Sequence, residues 1–262
     1  MAATARRLES QFRLPMTAIP VLVPALPSVE SAPFEAVEAF RKGLDVRIGA
    51  QLTSGSELLR ALDLRRSEQV LPTALPSLDA LLDGGLPRGK VIEIAGRGAR
   101  LSVVIAALAA ATSTGEAAAL IDTGDAFDPQ LGEAAGIDLR RLLWVRPRKL
   151  REAAAAAELV IATGFQLVAV DAGLPPLRGR VPDAAWVRLA RAAEAHGTAL
   201  LVSAPYPLTG TTSEAMLRAE PSRGQWRGPL LTGVDLALRL EKHRRKRPGG
   251  CARVQFRVAE AT

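Results

Sequence analysis

With 262 residues, 48% hydrophobic but only 4% aromatic, the chain has enough apolar mass for one large domain and favours Ala- and Leu-rich helices on a sheet over an aromatic-rich sandwich. Its single cysteine excludes an internal disulfide, no apolar run approaches the ~18 residues of a membrane span, and the first ten residues lack a continuous apolar segment, so a cytoplasmic protein with no membrane partner is expected. The net charge of +7 admits a polyanionic partner, and the densest run, Arg239 to Arg247, holds six Lys or Arg against one Glu.

Residues 1–33 carry a proline every few positions ("RLPMTAIPVLVPALPSVESAP"), which excludes a helix and predicts an extended, apolar segment that docks on a surface. Short helices are expected at 34–43 and 54–64. From Val70 the rhythm changes. Apolar strands at 91–95, 117–122, 142–145, 166–171 and 198–203 alternate with helical runs at 103–114, 128–135, 149–163 and 183–196. Near-continuous apolar strands of this kind form a parallel sheet covered on both faces. A long polar loop is expected over 205–233. Then 234–241 and 252–258 alternate in and out, as an antiparallel pair at a sheet edge does, and the basic run lies in their connector.

The stretch "AGRGARLSVV" (95–104) sits between a strand and a helix, where a nucleotide-binding α/β domain keeps its phosphate loop. Gly96, Arg97, Gly98 and the helix N-terminus suit an anion, and an ordinary Gly-rich turn suits the same residues. There is no Gly-Lys-Ser or Gly-Lys-Thr.

Three segments in series carry a resemblance: "VLPTALPSLDALLDGGLPRGKVIEIAG" (70–96), "ALIDTGDAFDPQLGEAAGIDLRRLLWVRP" (119–147) and "QLVAVDAG" (166–173). In order and spacing they resemble the RecA core, over roughly residues 70–258. The resemblance implies a RecA-type, P-loop-NTPase-like α/β core over 70–262: a mostly parallel sheet, helices on both faces and an antiparallel C-terminal edge. A Pro-rich arm with short helices occupies 1–69. It also exposes departures. Counted from Gly96, the family's Gly-Lys-Thr falls on Leu101, Ser102 and Val103, so the lysine is gone, and Arg100 is a substitute cation only in a shorter loop. The family's catalytic glutamate falls on Gly124, with Asp125 one residue on. Asp171 stands at the Walker B position. The expected site is therefore a degenerate phosphate site of Gly96, Arg97, Gly98, Arg100, Ser102 and Asp171. It has no catalytic residue and no metal, and no cofactor is expected beyond weak ATP or ADP binding.

In RecA two loops contact DNA, and they correspond to 172–183 and 205–233. Arg218, Arg223, Trp226 and Arg227 in the second, with Arg244, Arg245, Lys246 and Arg247 of the basic run, are candidate contacts to DNA or a protein partner. A RecA-like core with a degenerate phosphate loop behind a Pro-rich segment resembles the ImuA family, accessory proteins of bacterial SOS mutagenesis. That resemblance implies a non-catalytic role in error-prone translesion synthesis. The implied partners are RecA, an ImuB-like Y-family polymerase homologue, an error-prone polymerase and single-stranded DNA. The competing expectation is a divergent DNA-dependent ATPase and recombinase acting on single-stranded DNA.

Overall fold

The computed structural model describes residues 22–24 and 69–258, so the helices expected at 34–43 and 54–64 lie outside the described residues. In chain order the elements are β1 (Leu22–Pro24), β2 (Val70–Leu71), α1 (Pro76–Leu81), β3 (Leu86–Pro87), β4 (Val91–Gly96), α2 (Arg100–Ser113) and β5 (Ala118–Asp122). There follow α3 (Pro129–Ala134), β6 (Leu142–Val145), α4 (Leu150–Ala162), β7 (Leu167–Asp171), α5 (Asp183–His196) and β8 (Ala199–Ala204). The chain closes with β9 (Ala215–Ala219), β10 (Arg223–Arg227), β11 (Leu230–His243) and β12 (Cys251–Val258).

One ten-stranded sheet runs in the order β1-β12-β11-β9-β4-β8-β7-β5-β6, with β10 paired to β11. From β9 to β6 every neighbouring pair is parallel; β11 joins β9, β10 and β12 antiparallel. All residues of β4, β5, β7 and β8 are buried, because helices cover both faces. On one face α2 packs Val103, Val104, Ala107 and Leu108 against Ile92, Ile94 and Leu120. On the other, α4 and α5 pack Ala157, Ile161, Trp186 and Leu189 against Ile121, Val168 and Val170. Local chemistry sets the helix ends. Asp128 accepts hydrogen bonds from the N–H groups of Gln130 and Leu131 ahead of α3, whose first residue is Pro129. Gly197, at φ 68°, closes α5 in the left-handed conformation that glycine adopts at no steric cost.

The five expected parallel strands are all present, and β7 lies between β5 and β8 in the interior of the sheet. The expected antiparallel pair is β11–β12. The long loop expected over 205–233 is corrected: it contains β9, β10 and the start of β11. Ala215, Leu217 and Ala219 alternate inward and are buried, which seats β9 between β4 and β11. The loop before β9 is stapled from below. Buried Glu93 of β4 accepts hydrogen bonds from the N–H groups of Leu208 and Thr209 and from the Thr209 hydroxyl. The extended character expected of the proline-rich segment holds at β1, where Leu22, Val23 and Pro24 pair with Val258, Arg257 and Phe256. Proline is tolerated there because β1 is an edge strand.

Candidate functional site

The C-terminal ends of β4, β5 and β7 converge on the N-terminus of α2. A cleft of about 1020 Å³ opens there, lined among others by Arg100, Asp122, Gly124, Arg146, Asp171 and Arg178. In open α/β sheets this is the position where ligands bind.

The strand-to-helix turn is short, with only Arg97, Gly98 and Ala99 separating β4 from α2. It is pressed onto the β9–β10 connection. A Cβ on Gly96, at φ 142°, would lie 2.1 Å from the Ala219 carbonyl oxygen, and one on Gly98 would lie 2.4 Å from that of Glu220. The Ala99 N–H donates to Ser222 Oγ at 2.7 Å, and the Arg100 N–H to the Gly98 carbonyl at 2.7 Å. Two N–H groups that a phosphate cradle would aim at its ligand are thus spent within the chain. Arg97 is exposed, and Ser102 is buried on the first turn of α2.

Arg100 turns inward and is 5% exposed. One terminal nitrogen donates to Ser203 Oγ at 2.7 Å and lies 3.5 Å from Asp171 Oδ1; the other donates to the Gly173 carbonyl at 2.9 Å; Nε has no partner among the described residues. Asp171 accepts in addition from the Ser203 hydroxyl and the Gly173 N–H. Burial raises the Asp171 carboxyl above its usual range, while Ser203 and Arg100 act in the other direction. Burial also lowers the Arg100 guanidinium, with Asp171 opposing. The cation that the sequence offers as a stand-in for the missing lysine is therefore committed to the Walker B carboxylate.

Gly124 is closed to any side chain, because a Cβ there would lie 2.8 Å from the Gly173 Cα. The neighbouring carboxylate, Asp125, holds Arg146 through two hydrogen bonds of 2.5 and 2.6 Å. Arg146 in turn stacks 4.7 Å above the Trp144 ring. Asp122 is buried and accepts from the N–H groups of Gly124 and Phe127, so it shapes the turn. A nucleoside triphosphate with its metal, held as RecA's loop sequence holds it, does not fit these residues. Its lysine is absent, two of its loop donors are internally bonded, and its carboxylate is already paired.

The other expected contacts divide. Arg223, Trp226 and Arg227 stand exposed on the β10–β11 hairpin, Trp226 at 65%. Arg218 is separated from them, half-buried in β9 and bonded to Glu241 at 2.8 and 2.9 Å. In the basic run, Arg244 and Arg245 face Glu214 at 4.0 and 3.8 Å, and Lys246 binds Asp83 at 2.7 Å; Arg247 is exposed. Sequence reading missed Ser203, Gly173 and Ser222, which carry no motif, and the arginines around the cleft mouth. "RPRKLR" (146–151) is a legible signal for the latter, with four cations in six residues.

Residues 47–181 match the model of the RecA N-terminal domain. Protein RecA of Saccharopolyspora erythraea is 34% identical over 129 residues, 48% of this chain and 37% of that protein. Protein RecA of Leifsonia xyli is 33% identical over 147 residues, 53% of this chain and 41% of that protein. The matched segments thus span less than half the length of these relatives. A crystal structure of the RadB recombinase superposes with a TM-score of 0.54 at 21% identity, covering 70% of this chain and 94% of that one, a likeness of fold. With the family model spanning just over half the chain, the protein belongs to the RecA family.

Proposed function

We propose that the protein is a non-catalytic, RecA-like accessory protein of the DNA-damage response. In this reading it supports error-prone translesion synthesis by binding RecA, an ImuB-like Y-family polymerase homologue that works with an error-prone polymerase, or both. The observation that carries the reading is the buried Arg100–Asp171 pair. A retained RecA-type core whose central carboxylate is neutralised by its own arginine keeps the family's shape without the parts that turn over a nucleotide. What such a core still offers is surface, and surface serves partners. The ImuA family, which the sequence resembles, pairs a degenerate phosphate loop with this kind of role.

Two measurements test the reading together. Purified protein is expected to show background ATP turnover with and without single-stranded DNA, and to retain RecA or the polymerase partners in a pull-down. DNA-stimulated turnover that disappears in Asp171→Ala would overturn the non-catalytic part. Absence of binding to RecA and to both polymerase partners would overturn the accessory part.

A further inference from the structure

The β10–β11 hairpin stands out from the body of the protein. Between Arg223 and Thr232 every residue except Gln225 and Leu231 is exposed, and β10 pairs with β11 alone. Trp226 is 65% and Leu230 66% exposed, on either side of the turn at Gly228, whose φ is 59°. The projection is held in one shape. A register shift between Gln225 and Trp226 sets Trp226 opposite Leu231, Gln225 Nε2 donates to Asp235 Oδ1 at 2.9 Å, and the Thr232 hydroxyl donates to the Gln225 carbonyl at 3.1 Å. The indole lies over Gly224, where a Cβ would come within 2.7 Å of Trp226 Nε1. The root is fixed as well. Ser222 accepts the Ala99 N–H, and a Cβ on Gly98 would overlap the Leu236 side chain. Glu220 is tied to Arg239 at 2.7 Å and, through its N–H, to the Ala237 carbonyl at 3.0 Å. The turn that cradles phosphate in a phosphate-loop enzyme is here the socket of a hairpin.

The chemistry of the tip selects the ligand. A convex hairpin that shows tryptophan, leucine and arginine side by side has the composition of an interface hot spot, and its fixed shape leaves little to be ordered on binding. Single-stranded nucleic acid stacks successive bases along a groove with several aromatic platforms, whereas this hairpin is a projection with one ring. Arg223 and Arg227 have no carboxylate within ion-pair distance among the described residues, so the receiving surface has to supply the opposite charge. A second copy of the described chain does not supply it. Among the described residues the exposed carboxylates outside ion pairs are Glu133 and Asp183, single groups on separate helices that form no acidic rim.

We propose that the β10–β11 hairpin is a permanently presented docking element for a protein partner. Its tip enters an apolar cleft with a carboxylate-lined rim, Trp226 and Leu230 inside and Arg223 and Arg227 against the rim. The inference rests on the protein-partner reading above and locates the contact, on a surface that needs no nucleotide to form. The test is biolayer interferometry of the full, nuclease-treated chain against RecA, the Y-family polymerase homologue and the error-prone polymerase, each with and without ATP. For a partner that binds, Trp226→Ala is expected to lose about thirtyfold or more in affinity, Trp226→Phe less, and the pair Arg223→Glu, Arg227→Glu about tenfold. Leu230→Glu, which leaves the indole on Gly224, is expected to lose about tenfold. Leu159→Ala, on α4 and 68% exposed, is the control and retains binding. ATP is expected to change the affinity by less than about twofold, because the hairpin has no coupling to a nucleotide. Absence of binding by the intact chain overturns the protein-partner reading and this surface with it. Binding that survives in both Trp226→Ala and Leu230→Glu overturns the surface alone. So does an equal loss in Leu159→Ala, displacement of the partner by oligo-dT, or a requirement for ATP. Melting temperatures are compared first, and where one tip variant melts lower than wild type the other decides.

Discussion

Arg100 and Arg148 line the same cleft under opposite conditions. Arg100 is 5% exposed, with both terminal nitrogens hydrogen-bonded and a carboxylate at 3.5 Å, whereas Arg148 is exposed and has no carboxylate partner among the described residues. The difference is one of desolvation. A guanidinium out of water must be answered inside the chain, so its charge belongs to the fold. A guanidinium at the mouth keeps its hydration and leaves its charge available to a ligand. The floor therefore sets its one cation, Arg100, against the buried carboxylates Asp171 and Asp122, while the rim is basic.

The largest expected effect comes from breaking the floor. Arg100→Ala leaves Asp171 buried without its cation, and removal of one partner of a buried pair costs about 3–5 kcal/mol. In a domain of this size that lowers the melting temperature by ~10 °C, readable by calorimetry. A fall of a degree or less would show that the pair contributes nothing to the fold. The next effect is steric. Gly124→Glu restores the carboxylate type of the family's position but drives a Cβ to 2.8 Å from the Gly173 Cα, so a cost of about 1–3 kcal/mol is expected with ATP turnover still at background. Turnover gained by this variant would contradict the reading that the pocket is closed to such a group.

Much of this architecture was legible in the sequence, and the parts that were not have a common cause. The strands β4, β5, β7 and β8 are continuous apolar runs and announce a two-sided parallel sheet. β9 is hard to read because it is only five residues long and two of its three inward residues, Ala215 and Ala219, are small, and β10 ("RGQWR") has no apolar alternation at all. Its strand character comes from pairing with β11. The lost lysine was readable by counting from Gly96, but the direction of Arg100 was not, since Ser203 of β8 and Gly173 just after β7 come to it from far along the chain. The basic run at 239–247 drew attention by its density. Its partial pairing with Glu214 and Asp83 is tertiary, as is the union of 146–151 with 178–180.

A pH profile sharpens the contrast at a smaller scale. The Asp171 carboxyl is raised by burial, so its favourable contribution is complete below the ordinary carboxylate range near ~4 and is lost as pH rises through its folded value. The stability difference between wild type and Asp171→Asn is expected to shift against wild type over that climb, measured as urea midpoints at a series of pH values. A difference independent of pH would mean that the carboxyl titrates at its ordinary value. The smallest effect belongs to the rim. Arg148→Ser and Arg178→Ser are each expected to change stability by no more than about 0.5 kcal/mol, because both side chains are exposed and neither guanidinium has a partner among the described residues. A larger loss in chemical denaturation would place these arginines with Arg100 as structural groups.

The position of β4 has a consequence for how the chain reaches this state. Val91 pairs with Leu200 on one side and Ile92 with Ala215 on the other, so the central strand of the sheet has both neighbours more than a hundred residues downstream. During synthesis β4 leaves the ribosome long before either partner, and its apolar edges wait unpaired. The C-terminal meander β10–β11–β12 is local by comparison, closed by short turns, and such contacts form early because little loop entropy opposes them. The last third of the chain thus supplies both neighbours of β4 and the antiparallel edge beyond them. A nascent chain stopped after α5 holds a core strand with nothing on either side of it.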